Sequence, residues 1–249
     1  DQIRSAQAAC AGVLFEHIIV DNASDDATVR LIRPAPSVPR IINDNNRGFA
    51  VANNQAVQKA TGRVFLFLNP DMIMAPQSVA PWLAWMKDHP HVGVAGCRLT
   101  DANGAFNLAT APRRFPTLAN QLLLLLKLPH LFPALLDRYR MRDFDPAPEQ
   151  AVDSVHGSCL LVRRELISKL GRAFDERYFI WFEDVDLCRE AKRLGYTVMY
   201  TPIISAVDLV GRSFAQRDSW WAQRQFTRSL LTYFHKWQPA WQGIVLAAA

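Results

Sequence analysis

Residues 63–71, which read RVFLFLNPD, limit the possible folds of this chain more than any other segment. Five apolar residues, Val64–Leu68, run without a polar break and stop at an Asn-Pro-Asp turn. A run of this length and composition, bounded by Gly62 and Pro70, predicts a strand that is buried on both faces. In an open α/β sheet of parallel strands, ligands bind beyond the carboxyl ends of the strands. Asp71 is therefore a candidate ligand for Mg²⁺ or Mn²⁺, which prefer oxygen, and its alternative role is that of a solvated turn residue.

Strands and helices are predicted to alternate along the first third of the chain. Residues 15–20 (FEHIIV) predict a second buried strand, and residues 40–43 predict a third, shorter one. Between them Ser24 can cap a helix over residues 28–33, and residues 49–60 have the spacing of another helix. This alternation, with polar residues at the strand ends, is typical of a doubly wound, mostly parallel α/β sheet with flanking helices.

The composition allows one large domain, or a domain with an appendage, because the chain has 249 residues of which 50% are apolar and 20% charged. The formal charge is +5, and the excess is local: six Lys or Arg lie between residues 112 and 142, against Asp137 alone. A basic, leucine-rich segment suggests an anionic partner such as a phosphate-bearing lipid or a membrane surface. The most apolar window, 119–136, falls well short of a spanning helix because it is interrupted by Asn120, Lys127, Pro129, His130 and Pro133.

The cysteine pattern indicates the cellular compartment. Four cysteines without a CxxC pair predict reduced, buried thiols in a cytoplasmic protein, and no signal peptide is visible. We therefore expect a cytoplasmic location, with peripheral contact to the inner face of the plasma membrane through residues 112–142. We expect no nucleic-acid partner.

An aromatic run precedes three carboxylates in the second half of the chain. Residues 178–182 (YFIWF) lead into Glu183, Asp184 and Asp186, and the spacing that follows predicts a helix from about Glu183 to Gly195. The helix dipole favours carboxylates in a first turn, so Asp184 could merely decorate the start of the helix. Aromatic rings, however, form a wall on which a sugar can lie, and a neighbouring carboxylate can accept the proton of a hydroxyl group.

These residues and the other polar motifs resemble family 2 glycosyltransferases, in particular the non-processive, rhamnosyltransferase-like branch. The motifs, in the family's order and spacing, are IIVDNASDD at 18–26, NRGFA at 46–50, NN at 53–54, LNPD at 68–71 and WFEDVDLC at 181–188. The resemblance covers roughly residues 15–237. It implies a GT-A fold and an inverting transfer from a nucleotide-diphosphate sugar, usually with a divalent metal, Mg²⁺ or Mn²⁺.

The resemblance also implies roles for individual residues. Asp21 matches the aspartate that reads the nucleotide base, Asp71 the last acid of the metal-binding motif, and Asp184 the catalytic base, with Glu183 beside it. The following residues are expected to contact the nucleotide sugar: Asn22, Ser24, Asn46, Gly48, Asn53, Asn69, His156 and Gly157. Because the base and the metal act on opposite sides of the sugar, we expect Asp71 and Asp184 to face each other across a cavity about as wide as a monosaccharide.

Three features depart from the family's pattern. No apolar strand precedes residue 15, where the family has its first strand. The neighbouring strands are therefore expected to expose apolar edges, and the chain to be a fragment or to have a misassigned start. Asn69 stands where many relatives have an aspartate. Asp208 stands where the family often has a histidine before a Gly-x-Ser motif, and because aspartate also binds hard cations it is a second candidate metal ligand.

Several candidates have a purely structural alternative. Asp21 can be a turn residue at a strand end, and His156 can be a partly buried histidine with satisfied hydrogen bonds. Arg212 and Arg228 are candidates for the diphosphate, since a guanidinium suits phosphate geometry, but can equally be solvated surface arginines. The leucines at 122–126 can belong to the core or to a partner helix rather than to a membrane contact.

We expect one domain over residues 1–237, followed by a tail at 238–249. Its parts are a nucleotide-sugar-binding half (1–110), a basic, leucine-rich insertion (111–150) and an acceptor-binding, catalytic half (151–237). The predicted activity is the transfer of a sugar, such as rhamnose from a dTDP donor, to a lipid-linked or polysaccharide acceptor in cell-envelope glycan synthesis. The alternatives are a sugar nucleotidyltransferase, and a catalytically silent protein that binds carbohydrate or nucleotide sugars.

Overall fold

A computed structural model describes residues 2–24, 38–128, 130–209 and 219–249. The strands are β1 (Ile19–Asp21), β2 (Arg40–Ile42), β3 (Val64–Leu68), β4 (Met72–Met74), β5 (Val92–Thr100), β6 (Gln150–Ala151), β7 (Cys159–Arg163) and β8 (Thr197–Asp208). The helices are α1 (Gln2–Ala9), α2 (Phe49–Lys59), α3 (Val79–Asp88), α4 (Leu118–Leu125), α5 (Pro133–Arg140), α6 (Arg164–Leu170), α7 (Glu183–Arg193), α8 (Ser219–Trp237) and α9 (Ala240–Ala248), with a 3₁₀ turn at Leu108–Thr110.

Six of the strands form one sheet in the order β3-β7-β5-β8-β4, with β6 also paired to β8. The central strands β5 and β8 are parallel, whereas β7 is antiparallel to both β3 and β5. Strand β4 is antiparallel to β8, and this register sets Met72 opposite Asp208. The sheet therefore places Asp71, which follows Asn69-Pro70 and precedes β4, beside the end of β8.

Helices cover both faces of this sheet, which confirms the α/β architecture. On one face Trp82 and Met86 of α3 are buried against Val92 of β5. On the other face Leu166 of α6 and Leu187 of α7 pack into a cluster with the sheet. Burying each of these side chains contributes about 1.5–3 kcal/mol to the stability of the fold. The apolar faces of these helices therefore turn towards the sheet.

The first two strands stand apart from this sheet. Strands β1 and β2 form a separate parallel pair. A cavity of about 880 Å³ lies between residues 13–18 and β3, and its wall is mainly apolar. Phe65 and Phe67 of β3 are buried, but the three residues between and beside them are only half-buried. The predicted burial of β3 on both faces is therefore wrong, whereas the expected apolar edges are present.

The strand predicted over residues 15–20 is also wrong over most of its length. Only Ile19–Asp21 forms a strand, and Phe15 is exposed. Among the described residues, no strand pairs with the segment before residue 19. An extended segment without a paired neighbour is not stable as a strand. The predicted helix over residues 28–33 lies outside the described residues, while the strand over 40–43 and the helix over 49–60 are confirmed within a residue or so.

The basic insertion and the C-terminal segment are both helical. Helices α4 and α5 occupy the insertion, and α9 occupies the segment after residue 238. Within the described ranges, no helix combines the length and the apolar character needed to cross a bilayer. All four cysteines are buried free thiols, as predicted.

Candidate active site

Asp71 lies beside Asp208 at one edge of the sheet. The backbone N–H of Leu209 donates to the carbonyl of Asp71 at 3.1 Å, which continues the β4–β8 pairing by one residue. The Oδ1 atom of Asp71 is buried and accepts no hydrogen bond from any described residue. Burial raises the pKa of Asp71, and the negative charge of Asp208 raises it further. The two predicted metal ligands are therefore brought together.

This pair of carboxylates fits a divalent cation. Two neighbouring carboxylates, one with a buried and unpartnered oxygen, repel each other until a cation neutralises them, and Mg²⁺ and Mn²⁺ prefer oxygen ligands. In the described part of the chain, no three His, Cys, Asp or Glu side chains gather into a group that could hold a metal. Among the described residues the protein thus offers Asp71 and Asp208, and a cation held there can take further ligands from solvent or from substrate phosphates, as is usual for Mg²⁺.

The loop His156-Gly157-Ser158 joins this edge to the start of α7. The backbone N–H of Asn69 donates to the carbonyl of Ser158 at 2.8 Å. One residue earlier, the N–H of Gly157 donates to Oδ2 of Asp184, also at 2.8 Å. A Cβ atom on Gly157 would lie 3.1 Å from the Cβ of Asp184, so the close approach of loop and helix favours glycine here. Asp71 and Asp184, far apart in sequence, therefore flank one loop.

His156 lies among these acids. Its Nδ1 lies 2.8 Å from Oγ of Ser158. Burial lowers its pKa more than the neighbouring carboxylates, Asp184 first among them, raise it. The imidazole is therefore neutral at pH 7 and can exchange hydrogen bonds with a hydroxyl group or a phosphate oxygen.

Asp184 is held in a defined position at the start of α7. Its Oδ1 accepts the N–H of Val185 at 2.8 Å, while Oδ2 accepts that of Gly157. Glu183, beside it, is 6% exposed, and its Oε2 has no hydrogen-bond partner among the described residues. Burial, and then the charge of Asp184, raise the pKa of Glu183. The predicted catalytic pair thus divides into a hydrogen-bonded carboxylate and a buried carboxyl group that favours its protonated form.

A second set of polar residues surrounds the end of β1. The amide of Asn22 links three of them: its Oδ1 accepts from the side chain of Asn43, and its Nδ2 donates to Oδ1 of Asn46 and to the carbonyl of Gly48. Asp21 is 3% exposed, and its Oδ2 accepts the N–H of Ser24 at 3.2 Å. The structure therefore brings together the predicted nucleotide-binding residues of this half.

Gly48 connects this set to the aromatic run before α7. It has φ +85°, and a Cβ atom on it would lie 2.6 Å from the carbonyl oxygen of Phe179. The N–H of Phe49 donates to that same carbonyl at 2.8 Å. Asn53, another predicted ligand, instead donates to the carbonyl of Phe49 inside α2. No described contact joins the Asp21 set directly to Asp71.

The sequence interpretation missed two residues of the site, Asn54 and Arg113. Asn54, not Asn53, fixes α2 to the second half of the chain: it is buried, accepts the N–H groups of Ala173 and Phe174 and donates to the carbonyl of Phe174. The charge of Arg113 is close enough to act on His156. The Asn-Asn pair and the basic segment were the signals that could have indicated both.

The two diphosphate candidates remain outside this geometry. Arg228 is an exposed residue of α8, and Arg212 lies outside the described residues.

Comparison with known proteins is consistent with this geometry. The family model described as "Glycosyl transferase family 2" matches residues 3–171. The chain is 28% identical over 199 residues to the N-acetylglucosaminyl-diphospho-decaprenol L-rhamnosyltransferase of Mycobacterium tuberculosis, a match that covers 74% of this chain and 63% of that protein. It is 25% identical over 193 residues to the rhamnosyltransferase WbbL of Escherichia coli, covering 74% of this chain and 70% of that one.

Solved structures with low identity share the fold. A mannosyltransferase from Pyrobaculum calidifontis in complex with GDP-Man and Mn²⁺ superposes with a TM-score of 0.55 at 22% identity, over 94% of this chain and 59% of that one. GalNAc-T7 with UDP, GalNAc and Mn²⁺ superposes with a TM-score of 0.56 at 16% identity, over 83% of this chain and 40% of that one. These likenesses confirm the predicted GT-A fold.

Proposed function

The chain belongs to glycosyl transferase family 2, and from this premise we propose that it transfers a sugar from a nucleotide-diphosphate donor to an acceptor hydroxyl with inversion. The observation that carries the proposal is the loop at residues 156–158, which bonds to Asp184 on one side and to the backbone of Asn69 on the other. One loop thus connects a candidate base with a candidate metal site. A single-displacement transfer requires these two functions on opposite sides of the sugar.

In the proposed mechanism Asp184 removes the proton of the acceptor hydroxyl. Its carboxylate is held in place for this by two backbone N–H groups. Burial and the charge of Asp184 raise the pKa of Glu183, which favours its protonated form and disfavours a second negative charge beside Asp184. His156, neutral at pH 7, can orient the sugar or the acceptor.

Asp71 and Asp208 would hold the divalent cation, which when bound neutralises the charge that grows on the leaving diphosphate. Asp21 would bind the nucleotide base, because its Oδ1 is buried and accepts no hydrogen bond in the part of the chain that is described. Asn22 and Asn46 would hold the backbone around the nucleotide, with the network centred on Asn22 keeping that region in place.

We propose rhamnose from a dTDP donor as the sugar, and a lipid-linked or polysaccharide acceptor, because the relatives named above are rhamnosyltransferases and one acts on a diphospho-decaprenol lipid by its name. The chain spans 63% of the length of that first relative. The donor panel in the test below therefore includes UDP and GDP sugars beside dTDP-rhamnose.

The test compares the wild-type protein with Asp184→Asn, and with Asp88→Asn as a control that removes one exposed carboxylate at the end of α3. Each protein is incubated with the donor panel, Mn²⁺ and an N-acetylglucosaminyl-diphospho-lipid, and transfer is followed by mass spectrometry. We expect Asp184→Asn to lose transfer by about 10²–10⁴-fold with donor binding retained. Undiminished transfer by that variant would refute the base role. Donor binding without transfer in the wild type would favour a silent binding protein, and formation of a nucleotide sugar from a nucleoside triphosphate would favour a nucleotidyltransferase.

We also propose peripheral contact with a cytoplasmic, anionic membrane surface through residues 112–142. The support is that Leu126, Leu131 and Phe132 are exposed in the same segment as Lys127 and the two arginines in the last turn of α5, a composition that suits an interface between acyl chains and headgroups. We expect Lys127→Gln combined with Arg140→Gln to reduce flotation with phosphatidylserine-containing liposomes. The matched pair Lys59→Gln and Lys87→Gln, which removes the same charge elsewhere, should have no effect, and an equal loss in both pairs would refute a local contact.

A further inference from the structure

Two consecutive aromatic residues before α7 have a backbone conformation that large side chains rarely adopt. Trp181 has φ +65° and Phe182 has φ +69°, both in the left-handed region. Among the described residues with a side chain, this is the only place where two neighbours share that region. Such conformations are strained and persist only where the surrounding structure holds them. The residues that follow are Glu183 and Asp184.

Helix α8 supplies the contacts that hold this turn. The hydroxyl of Ser229, a residue 2% exposed, donates to the carbonyl of Ile180 at 2.7 Å. The ring of Phe182 lies 5.4 Å from that of Phe226 and 5.6 Å from that of Tyr233. All three contacting residues lie on one side of α8, and all reach the backbone or the ring of the strained segment.

The end of α8 also binds the first turn of α7. Nζ of Lys236 lies 2.7 Å from Oδ2 of Asp186, and Nε1 of Trp237 donates to Oδ1 of the same carboxylate at 2.6 Å. The N–H of Asp186 donates in turn to the carbonyl of Phe182 at 2.8 Å. Helix α8 therefore contacts both the strained segment at residues 180–182 and the first turn of α7.

The strained turn sets the direction of Asp184. Phe182 is the residue that precedes α7, so its dihedral angles determine where the first turn of the helix points. With this geometry Oδ2 of Asp184 meets the N–H of Gly157 at 2.8 Å. A relaxed turn would rotate the start of α7 and lengthen that hydrogen bond.

We propose that α8 is the element that aims Asp184 at the sugar site, and that Ser229 is its main positioning residue. The hydrogen bond from Ser229 fixes the carbonyl of Ile180, and the packing of Phe226 keeps the aromatic turn in its strained form. The structural half of this inference is independent of the activity, while its catalytic consequence rests on the proposed function.

The structural half is tested with Ser229→Ala and with Thr232→Ala as the matched control. Thr232 also lies on α8, but its hydroxyl donates to the carbonyl of Arg228 in its own helix, 2.9 Å away. Amide hydrogen exchange of Gly157 is measured by NMR. Because Ser229→Ala leaves the Ile180 carbonyl without its partner, we expect the Gly157 amide to exchange about tenfold faster, and Thr232→Ala to leave it unchanged. Unchanged exchange at Gly157 in a folded Ser229→Ala protein would overturn the inference.

Should Ser229→Ala fail to fold, Phe226→Leu provides the same test, because it removes the ring contact with Phe182 and keeps an apolar side chain in place. We expect the same faster exchange at Gly157, and unchanged exchange in this variant would refute the role of α8.

The catalytic consequence is tested by transfer from dTDP-rhamnose. We expect Ser229→Ala to lower kcat about tenfold with the donor's KM unchanged, Ser229→Thr to restore most of it because the hydroxyl is kept, and Thr232→Ala to match wild type. Faster exchange at Gly157 in Ser229→Ala, together with a wild type that transfers no sugar from any donor of the panel, would leave the positioning inference standing and refute the proposed function. Wild-type transfer that Ser229→Ala leaves unaltered would refute the positioning role.

Discussion

The buried ion cluster around Lys236 offers a quantitative test of how α7 and α8 are held together. Its Nζ lies 2.7 Å from Asp186, 3.2 Å from Asp175 and 2.9 Å from Glu190. The side chains of Asp175 and Asp186 are 2% and 3% exposed, and that of Lys236 is 14% exposed. Replacement of Lys236 by Met keeps the length and the apolar part of the side chain and removes only the cation.

We expect Lys236→Met to lower the free energy of unfolding by about 3 kcal/mol. Removal of one partner from a buried ion pair typically costs about 3–5 kcal/mol, because the remaining charge is buried without compensation. The lower end applies because burial already raises the pKa of Asp186, so this group can take up a proton instead of remaining charged. For a chain of this size, the melting temperature should fall by about 6–12 °C.

The effect should depend on pH in a direction that the pKa of Asp175 fixes. Burial alone would raise this pKa, but hydrogen bonds from Arg177 and then from Lys236 hold it well below its usual range. A lowered pKa stabilises the fold above the unfolded pKa of about 3.9, and this contribution is lost as the pH falls towards the folded value. The raised pKa of Asp186 contributes with the opposite sign. The difference between wild type and Lys236→Met should therefore be largest near pH 7, shrink as Asp186 of the variant takes up a proton, and shrink further below about pH 4, where Asp175 loses its contribution.

The matched control is Lys192→Met. Lys192 and Asp153 are only 2.6 Å apart, but their side chains are 34% and 24% exposed. Solvent screens such a pair, so its loss should cost less than about 1 kcal/mol. Urea denaturation followed by tryptophan fluorescence measures both variants. If Lys192→Met and Lys236→Met lower the unfolding free energy equally, burial is not the reason for the stability of the Lys236 cluster.

Four further predictions concern the site. Gly157→Ala should retain the fold but lower transfer about 10²-fold, since the new methyl group must displace Asp184; unchanged transfer would mean that the carboxylate's position is not critical. Asp71→Asn should abolish the rise in melting temperature that Mn²⁺ produces in the wild type, about 5–10 °C at 100 times Kd, and a full rise would exclude Asp71 as a ligand. Because burial raises the pKa of Asp71, the wild-type rise should itself weaken as the pH is lowered towards that pKa, which calorimetry at several pH values would show. Gly48→Ala should lower the unfolding free energy by at least about 1–2 kcal/mol because φ is +85° and the methyl group would meet the carbonyl of Phe179; a neutral effect in urea denaturation would show that the backbone shifts without strain.

Patterns of short range were enough to predict most of the elements. The apolar run at Val64–Leu68 and the helical spacing after Glu183 are local properties, and both elements form where predicted. The strand at 15–20 was mispredicted because a strand needs a neighbour, and a single apolar segment does not reveal whether that neighbour is present.

The candidate site was predictable where the residue type alone limits the chemistry. Carboxylates at a strand end and at a helix start indicated Asp71 and Asp184, since few other side chains bind hard cations or accept protons. The sequence interpretation named Asn53 and not Asn54 as a site residue. The two amides have the same chemistry, and only packing decides which of them turns towards residues 173–174. The sequence likewise gave no sign that Ser229 lies under the turn at Ile180.

The sequence by itself therefore determined which residues are chemically capable and which segments become strands or helices, because propensity and periodicity act over a few neighbouring residues. Only the tertiary structure decided that the loop at 156–158 joins Asp184 to the Asn-Pro-Asp turn, and that α8 holds a strained turn before α7. The physical reason is that such contacts connect residues far apart in the chain, and their geometry follows from how the sheet and helices pack together.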